Sequence, residues 1–207
     1  MAVNYDLDTD SEHTLKGCMI NSATISSNVG EAIKVKLEGP YAQLVADTSL
    51  FTAVAPVEDP FTFAQASLEI PNGTTIADVQ NFEITVNRNV EMVWGLGSRI
   101  AQKNVGKQRE YKIKLTCTYE NDTFLGNVWG AAAAINATVA EVATAELTIS
   151  NGGATTAQRS YVFLFGNCLF EKVSVPTTVE DVTKLDITIT ARTLTSLIAT
   201  NNIDTAL

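Results

Sequence analysis

The sequence predicts an all-β protein, an antiparallel β-sandwich or barrel of about eight or nine strands with one flanking helix. Three observations support this fold class. Apolar and polar residues alternate with a period of two in many short segments, clusters of Gly, Asn and Pro separate these segments, and one stretch has helical spacing. With 207 residues, of which 45% are hydrophobic, the chain is long enough to bury a core.

The alternating segments predict half-buried strands, each with one apolar and one polar face. Six segments alternate clearly: 33–38, 64–70, 82–87, 110–120, 146–149 and 185–192. Residues 15–27 alternate more loosely and predict one further strand. Residues 161–165 are apolar on both faces, so they predict a central strand covered twice, with 169–175 returning after Gly166-Asn167 as its hairpin partner.

Turn chemistry separates the predicted strands, because Gly and Asn accept positive φ and Pro presets φ. The turns fall at 28–30, 39–40, 71–73 and 151–153. The helix is predicted over residues 123–136. Asn121-Asp122-Thr123 offers an N-cap there, and four consecutive alanines favour helix over strand.

The chain divides into an N-terminal arm, 1–14, a β-sandwich domain, 15–196, and a C-terminal arm, 197–207. Two long connections, 42–60 and 94–108, lack a recognisable pattern, and loops of this length are usually functional. The first connection carries too much apolar surface for a monomeric loop. It is therefore the candidate inter-subunit loop, through Leu44, Val45, Leu50, Phe51, Val54 and Val57.

The charge balance opposes tight binding to DNA or to an anionic membrane, since affinity for either comes mainly from cations. There are 14 basic and 23 acidic residues, a net charge of −9. The longest uncharged apolar run, 128–135, is much shorter than the roughly 20 residues of a membrane span. The first residues lack the pattern of a signal peptide, so we expect synthesis in the cytoplasm and reduced structural thiols at Cys18, Cys117 and Cys168.

The sequence predicts no catalytic residue, no metal site and no cofactor. His13 is the only histidine, the acidic run around it lacks the glycine and distal glutamate of a calcium loop, and Gly95-Leu96-Gly97 lacks the third glycine of a dinucleotide fingerprint. Carboxylates on polar strand faces usually meet only solvent; these are Glu38, Glu83, Glu110, Glu120, Glu146 and Asp186. Without a signal peptide, the sequons at Asn72, Asn121 and Asn136 are chance matches.

A carbohydrate-binding β-sandwich is an alternative of a different class. It would use Trp94, Trp129 or Tyr119 as a platform on which a sugar ring stacks. The missing secretion signal argues against this alternative.

The order of the elements carries a family resemblance. Residues 17–39 pair two strands around a short turn, 78–91 lead into a loop with Gly95-Leu96-Gly97-Ser98, and 109–120 lead into the predicted helix. This arrangement resembles the major tail tube protein of long-tailed double-stranded DNA viruses, over about residues 15–124. The final strand, 182–193, fits more loosely.

The resemblance implies a structural virion protein of the tail. Copies would form hexameric rings that stack into a tube, and the lumen of the tube would conduct the viral genome into the host cell during ejection. The implied partners are other copies of the chain, the tape-measure, tail terminator and distal tail proteins, and viral double-stranded DNA that passes without tight binding; no membrane is involved. The inner tube of a contractile tail or injection device is an alternative within the same class.

In such a tube, the loop 42–60 would contact the adjacent ring or subunit, and one polar strand face would line the lumen. The candidate lumen-facing residues are Lys34, Lys36, Glu38, Glu83, Thr85, Asn87, Glu110, Lys112 and Lys114. A wall of acids, amides and hydroxyls offers DNA few cationic traps. The lysines on these faces would attract DNA unless cross-strand glutamates neutralise them.

Overall fold

A computed structural model describes residues 2–7, 9–47, 59–71, 73–76, 78–118, 141–152, 158–174 and 184–201. These residues form thirteen β-strands and one short 3-10 helix, so the all-β class is confirmed. The predicted helix over 123–136 lies outside the described residues. Within the described ranges, no helix is long and apolar enough to cross a membrane.

The strands are numbered in chain order, and the 3-10 helix Phe63–Gln65 precedes the sixth. They are β1 Ala2–Leu7, β2 Thr9–Lys16, β3 Ser22–Asn28, β4 Lys34–Glu38, β5 Gln43–Asp47, β6 Ala66–Glu69, β7 Val79–Asn87, β8 Glu91–Trp94, β9 Ala101–Val105, β10 Glu110–Thr118, β11 Glu141–Ser150, β12 Arg159–Ser174 and β13 Lys184–Asn201.

The chain forms two compact units. The first unit comprises residues 1–23, 36–59 and 86–109, and the second comprises 24–35, 60–85 and 110–207. The largest sheet is antiparallel and has eight strands in the order β4-β3-β7-β10-β13-β12-β11-β6. Most of its residues belong to the second unit.

The core of the second unit is the apolar face of this sheet. Along β10 the buried residues are Tyr111, Ile113, Leu115 and Cys117, and the side chains between them are more accessible. The paired strand β13 buries the matching set, which is Leu185, Ile187, Ile189 and Ala191. The alternation predicted for both strands is therefore confirmed, and it fixes the register, since a slip of one residue would expose every core side chain.

The apolar face also packs against itself. A cavity of about 160 Å³ is lined by Leu68 of β6, Phe82 of β7 and Leu147 of β11, among others. The strand β7 is not a sheet neighbour of β6 or β11, so distant parts of the sheet face each other across the core. This is the arrangement of a sandwich, in which apolar faces interdigitate.

The first unit contains a three-stranded sheet, β1-β2-β5, and the two-stranded hairpin β8-β9. Parts of the two long connections are therefore ordered as strands, contrary to the sequence-based expectation. The strand β5 lies within 42–60, and β9 lies within 94–108. The sequence of β9, AQKNV, has little apolar alternation, because only Ala101 is buried, so periodicity does not reveal it.

The predicted hairpin after residue 165 is wrong. The strand β12 runs without a turn from Arg159 to Ser174, and it stays paired with β13 on both sides of Gly166-Asn167. Asn167 has φ of +53°, which Asn tolerates better than most residues. The Gly-Asn pair therefore lies within a continuous strand and does not reverse the chain.

Two glycines are required by the backbone around β3 and β4. Gly30, with φ of +81°, lies in the predicted turn between these strands, where Glu31 N–H donates to the Asn28 carbonyl. Gly39 follows β4, and a Cβ at this position would clash with the carbonyl group of Met19. Residues 15–27 were predicted as one strand, but they belong to two strands: β2 ends at Lys16, and β3 begins at Ser22.

Candidate functional site

The second unit has a polar face opposite its core, formed by β7, β10, β13 and β12. The register places Lys112 of β10 opposite Thr190 of β13, and Lys114 opposite Thr188. On the neighbouring strands the same face carries Thr85 of β7, whose Oγ1 atom lies 3.5 Å from Oγ1 of Thr24. Hydroxyl groups and charged groups therefore alternate across this surface, which we call the polar face.

Two lysines on the polar face, Lys112 and Lys114, are paired with acids, whereas Lys172 and Lys184 on the same face lie opposite Thr188 and Thr118. Nζ of Lys114 lies 2.8 Å from Oε1 of Glu83, and Nζ of Lys112 lies 4.0 Å from Oε2 of Glu171. Such pairs between exposed groups contribute little to stability. Their effect here is electrostatic, because each ammonium group has a carboxylate beside it.

The charges of β4 are paired as well. Nζ of Lys34 lies 2.8 Å from Oε2 of Glu31, and Nζ of Lys36 lies 2.6 Å from Oε1 of Glu38. The hydrogen bond from Lys34 lowers the pKa of the Glu31 carboxyl, and a second bond from Asn28 lowers it further. The bond from Lys36 similarly lowers the pKa of the Glu38 carboxyl. These pairs form above the carboxyl pKa values and are lost as pH falls through them.

The sheet order brings together some of the candidate lumen residues. The strands β7 and β10 are neighbours, so Glu83 and Thr85 lie beside Lys112 and Lys114. Strand β3 lies between β4 and β7, but Lys34 of β4 lines a cavity of about 330 Å³ together with Glu83, whereas Lys36 and Glu38 are not among its lining residues. Glu110 is the first residue of β10. Asn87 is the last residue of β7, and its Oδ1 atom accepts a hydrogen bond from the Asn89 N–H.

One candidate assembly surface is the outer edge of β4. This strand lies at the end of the eight-stranded order, with β3 as its one neighbouring strand among the described residues. All five of its residues are exposed, including Val35 at 61% and Leu37 at 57%. The alternation in 33–38 correctly predicts a strand, but the prediction that its apolar face is half-buried is wrong.

A second edge is the C-terminal part of β13. Residues 186–201 pair with β12, whereas the pairing with β10 reaches only Ala191. Beyond that point, β13 has a strand neighbour on one side only, as far as the described residues extend. Two apolar side chains are exposed there, Leu197 at 54% and Ile198 at 55%.

The edge of β6, at the other end of the sheet, is covered by the chain itself. Ile76 N–H donates to the Leu68 carbonyl, and Glu69 and Thr75 form an antiparallel bridge. Covering an edge in this way protects it from pairing with other chains. At the other end of the sheet, residues 61–63 cover only the segment that leads into β4, through a bridge between Ala32 and Thr62 and a bond from Ile33 N–H to the Phe61 carbonyl. Within the ranges that the structure describes, no second strand pairs with β4 itself or with β13 beyond Ala191.

The first unit has an apolar groove of about 570 Å³. Its lining includes Tyr41, Leu44, Met92, Trp94, Arg99 and Ile100. Of the predicted loop residues, Leu44 is 49% exposed and Val45 is half-buried, both on β5. The other four, Leu50, Phe51, Val54 and Val57, lie outside the described residues, as do Trp129 and Tyr119 of the alternative sugar platform.

The described part of the chain has no cluster of three or more His, Cys, Asp or Glu residues that could hold a metal ion. The thiols of Cys117 and Cys168 are buried in the core, and that of Cys18 is exposed. Burial raises the pKa of the Cys168 thiol to about 11, and a backbone hydrogen bond with Ala145 opposes this shift only in part. Because the folded state favours the neutral thiol, Cys168 contributes stability that is lost as pH rises from 9.0 to about 11.

We expect only Cys18 to react quickly with Ellman's reagent in the folded chain. A thiol of pKa about 11 is roughly 0.1% thiolate at pH 8, and thiolate is the reactive form. The release of thionitrobenzoate should therefore correspond to one thiol in buffer and to all three in denaturant. Cys18→Ser is the control and should abolish the fast reaction, whereas fast labelling of a second thiol would contradict the described burial.

Comparison with known proteins agrees with this architecture. A search of curated proteins returned no match. A family model described as "Phage tail tube protein" matches residues 1–191, which is nearly the whole chain. The chain therefore belongs to the phage tail tube protein family, whose members are structural components of the virion tail.

Proposed function

We propose that this chain forms hexameric rings by joining the edge of β4 in one copy to the overhanging edge of β13 in the next, and that the stacked rings conduct the viral genome. The observation that carries the proposal is the pair of uncovered, apolar strand edges. Membership of the tail tube family implies self-assembly into a tube, and these edges supply a physical route to it.

The two edges are different surfaces, so the contact between copies is heterologous. A heterologous contact leaves one free edge of each kind at the ends of any open oligomer. Closure into a ring removes both free edges, and a closed sheet has no edge at which uncontrolled aggregation can start. The same geometry explains why one chain can leave apolar strand edges exposed.

The energy of the contact comes from backbone hydrogen bonds and apolar burial. Pairing of β4 with residues 193–201 would cover Val35 or Leu37 together with Leu197 or Ile198. Complete burial of one such side chain contributes about 1.5–3 kcal/mol, and association opposes it with about 4–15 kcal/mol of lost freedom. A single contact between two copies is therefore weak. Ring closure adds one more contact without a further loss of freedom on association, so the closed ring is stable.

We assign the polar face to the lumen. Lys114 and Lys112 are paired with Glu83 and Glu171. The face also carries Lys172, Lys184, several threonine hydroxyls and Asp186, which accepts a hydrogen bond from Thr116 at 2.7 Å. DNA binds proteins chiefly through cations that release its counterions. Pairing two of the cations with carboxylates weakens the hold of the wall on DNA, so DNA can slide past.

In this proposal, the first unit makes the contacts between rings along the tube axis. Leu44 of the predicted inter-ring loop lies there, and so does the apolar groove. At its ends the tube would meet the terminator and distal tail proteins, and the tape-measure protein would occupy the lumen before ejection. The family membership supports these partners as a class, since a tail tube assembles with other tail proteins.

The test is the assembly state of the purified chain. We expect sedimentation velocity to show a discrete hexamer, and negative-stain electron microscopy to show annular particles and tubes as concentration rises. A chain that sediments as a monomer at every concentration, with no annular particles, would contradict the proposal.

A further inference from the structure

The basic residues of the chain are concentrated in one segment of the first unit. Residues 88–109, which contain β8 and β9, carry one acid, Glu91, and five of the 14 cations, which are Arg88, Arg99, Lys103, Lys107 and Arg109. This segment, the basic hairpin, has a net charge of +4 in a chain whose net charge is −9. A local excess of positive charge of this kind favours an anionic partner.

Three exposed cations of the basic hairpin are available for such a partner. Arg99, Lys103 and Arg109 are exposed, and none of the ion pairs formed within the described ranges involves them. Lys107 differs, since its Nζ atom lies 2.5 Å from Oε2 of Glu91. The hairpin therefore presents positive charge without the adjacent carboxylates that accompany the two paired lysines of the polar face.

The register of β8 with β9 separates two faces of the basic hairpin. Asn104, opposite Met92, donates through Nδ2 to the Gly17 carbonyl at 2.6 Å. Met92 also lines the apolar groove, so this face packs on the rest of the first unit. Lys103 lies opposite Val93 on the other face, because neighbouring residues of a strand point to opposite sides. The cation of β9 is therefore turned away from the groove and toward solvent.

The spacing of the cations suits a row of phosphate groups. Lys103, Lys107 and Arg109 follow one another after four and two residues. An extended chain rises about 3.3 Å per residue, so this run spans up to roughly 20 Å. Double-stranded DNA carries one charge per about 1.7 Å of its axis, so a run of this length meets several phosphates. A two-stranded β-ribbon is also an element that the major groove of DNA admits.

The negative net charge of the chain does not prevent this contact. Exposed charges more than about 8 Å apart are largely screened at physiological ionic strength. A phosphate that touches the basic hairpin therefore senses mainly the charges of this segment, which has one acid. Few cations take part, so the contact is weak, in agreement with a genome that passes without tight binding.

We infer that the basic hairpin binds the phosphate backbone of double-stranded DNA weakly and without sequence preference. This inference rests on the proposed function, because the genome is the polyanion that a tube subunit meets. The paired lysines of the polar face let DNA slide, whereas the exposed cations of the hairpin hold it transiently. Phosphate contacts carry no sequence information, so the contact is the same for every part of a genome that moves past it.

The test is the binding of a fluorescently labelled duplex of about 20 base pairs, two helical turns, measured by fluorescence anisotropy. The logarithm of the affinity of the wild-type chain should fall linearly with the logarithm of the salt concentration. Arg99→Gln with Lys103→Gln should lower the affinity at least about fivefold at about 50 mM salt and should reduce the slope by about 1.8, since each phosphate contact contributes about 0.9. A duplex of unrelated sequence should bind equally well.

The matched control is Val29→Glu with Gln80→Glu, which makes the same change in net charge at exposed positions of the second unit. This variant should bind the duplex within about twofold of the wild type and with the same slope. Val35→Gln with Leu37→Gln weakens the proposed ring contact without adding charge. It should still bind the duplex, because each copy carries its own hairpin, and circular dichroism establishes that every variant is folded.

Different results would overturn different statements. A wild-type chain that does not bind the duplex at low salt, or unchanged binding by Arg99→Gln, Lys103→Gln, would overturn this inference and leave the ring proposal standing. Polygalacturonate that binds more tightly than DNA through the same two residues would also overturn it, in favour of an anionic saccharide. A chain that binds DNA through the hairpin but forms neither rings nor tubes would contradict the proposed function and leave the hairpin contact standing.

Discussion

Replacing Val35 and Leu37 with lysine is expected to abolish ring formation while leaving the chain folded. Both side chains are exposed, at 61% and 57%, so the substitutions remove no core contact. Lysine on an edge strand is a common natural device against strand addition, because pairing would require its charge to be desolvated. The sedimentation profile should change from hexamer to monomer, and the thermal midpoint should stay within a few degrees of the wild type.

Val29→Lys is the matched control for this substitution. Val29 is 56% exposed, but it lies in the turn between β3 and β4 and not on the edge. This variant should therefore assemble normally. Rings formed by the Val35→Lys, Leu37→Lys chain would show that β4 is not an assembly edge.

The double variant also allows a test of the direction of the contact. It retains an intact β13 edge, so it should add to a growing oligomer of wild-type chains once and then prevent closure. A small fraction of variant in a mixture should therefore reduce the yield of rings more than in proportion. Leu197→Lys with Ile198→Lys should have the same effect from the other side, and a mixture of the two double variants should form isolated dimers through the remaining intact edges.

Periodicity predicted the part of the fold in which side chains bury on one face only. The strands β10 and β13 alternate strictly, and the register between Ile113 and Ile189 places two fully buried residues opposite each other. In these strands the alternation in sequence agrees with the burial in the fold, so the sequence is sufficient to predict the strands and their buried faces.

Periodicity did not predict strands that are held by backbone hydrogen bonds and bury few side chains. The strand β9 is mostly polar and forms through its backbone bonds to β8. The opposite error occurs at β4, where apolar residues alternate but are exposed in the single chain. Apolar alternation predicts which side chains of a strand are to be buried. It does not predict whether the surface that buries them belongs to the same chain or to another.

The candidate site was predicted in residue type but not in arrangement. Cross-strand neutralisation of lysines was expected, and the pair Lys114–Glu83 has this form. The partner of Lys112, Glu171, lies beside an irregularity in the pairing of β12 with β13, between Phe170 and Lys172. No periodic pattern locates such a residue, because a bulge shifts the faces of a strand by one position.

The second large effect is expected in genome ejection. Replacing Glu83 and Glu171 with glutamine removes the carboxylates beside Lys114 and Lys112 and leaves two uncompensated cations on the polar face of every copy. If this face lines the lumen, DNA phosphates will bind these cations, and ejection should slow several-fold at low ionic strength. The measurement is the fluorescence of a DNA-binding dye during receptor-triggered ejection from virions assembled with the variant.

The matched control replaces all four residues of the two pairs with glutamine, so that the polar face gains no net charge. This chain should eject its genome at the wild-type rate, whereas a merely structural role of the pairs would slow ejection equally in both variants. Salt gives an independent check, because binding of DNA to freed lysines falls steeply as salt rises. The slow ejection of Glu83→Gln, Glu171→Gln should therefore recover toward the wild-type rate at about 0.5 M salt. Wild-type ejection by this variant at every salt concentration would mean that the polar face does not meet the genome.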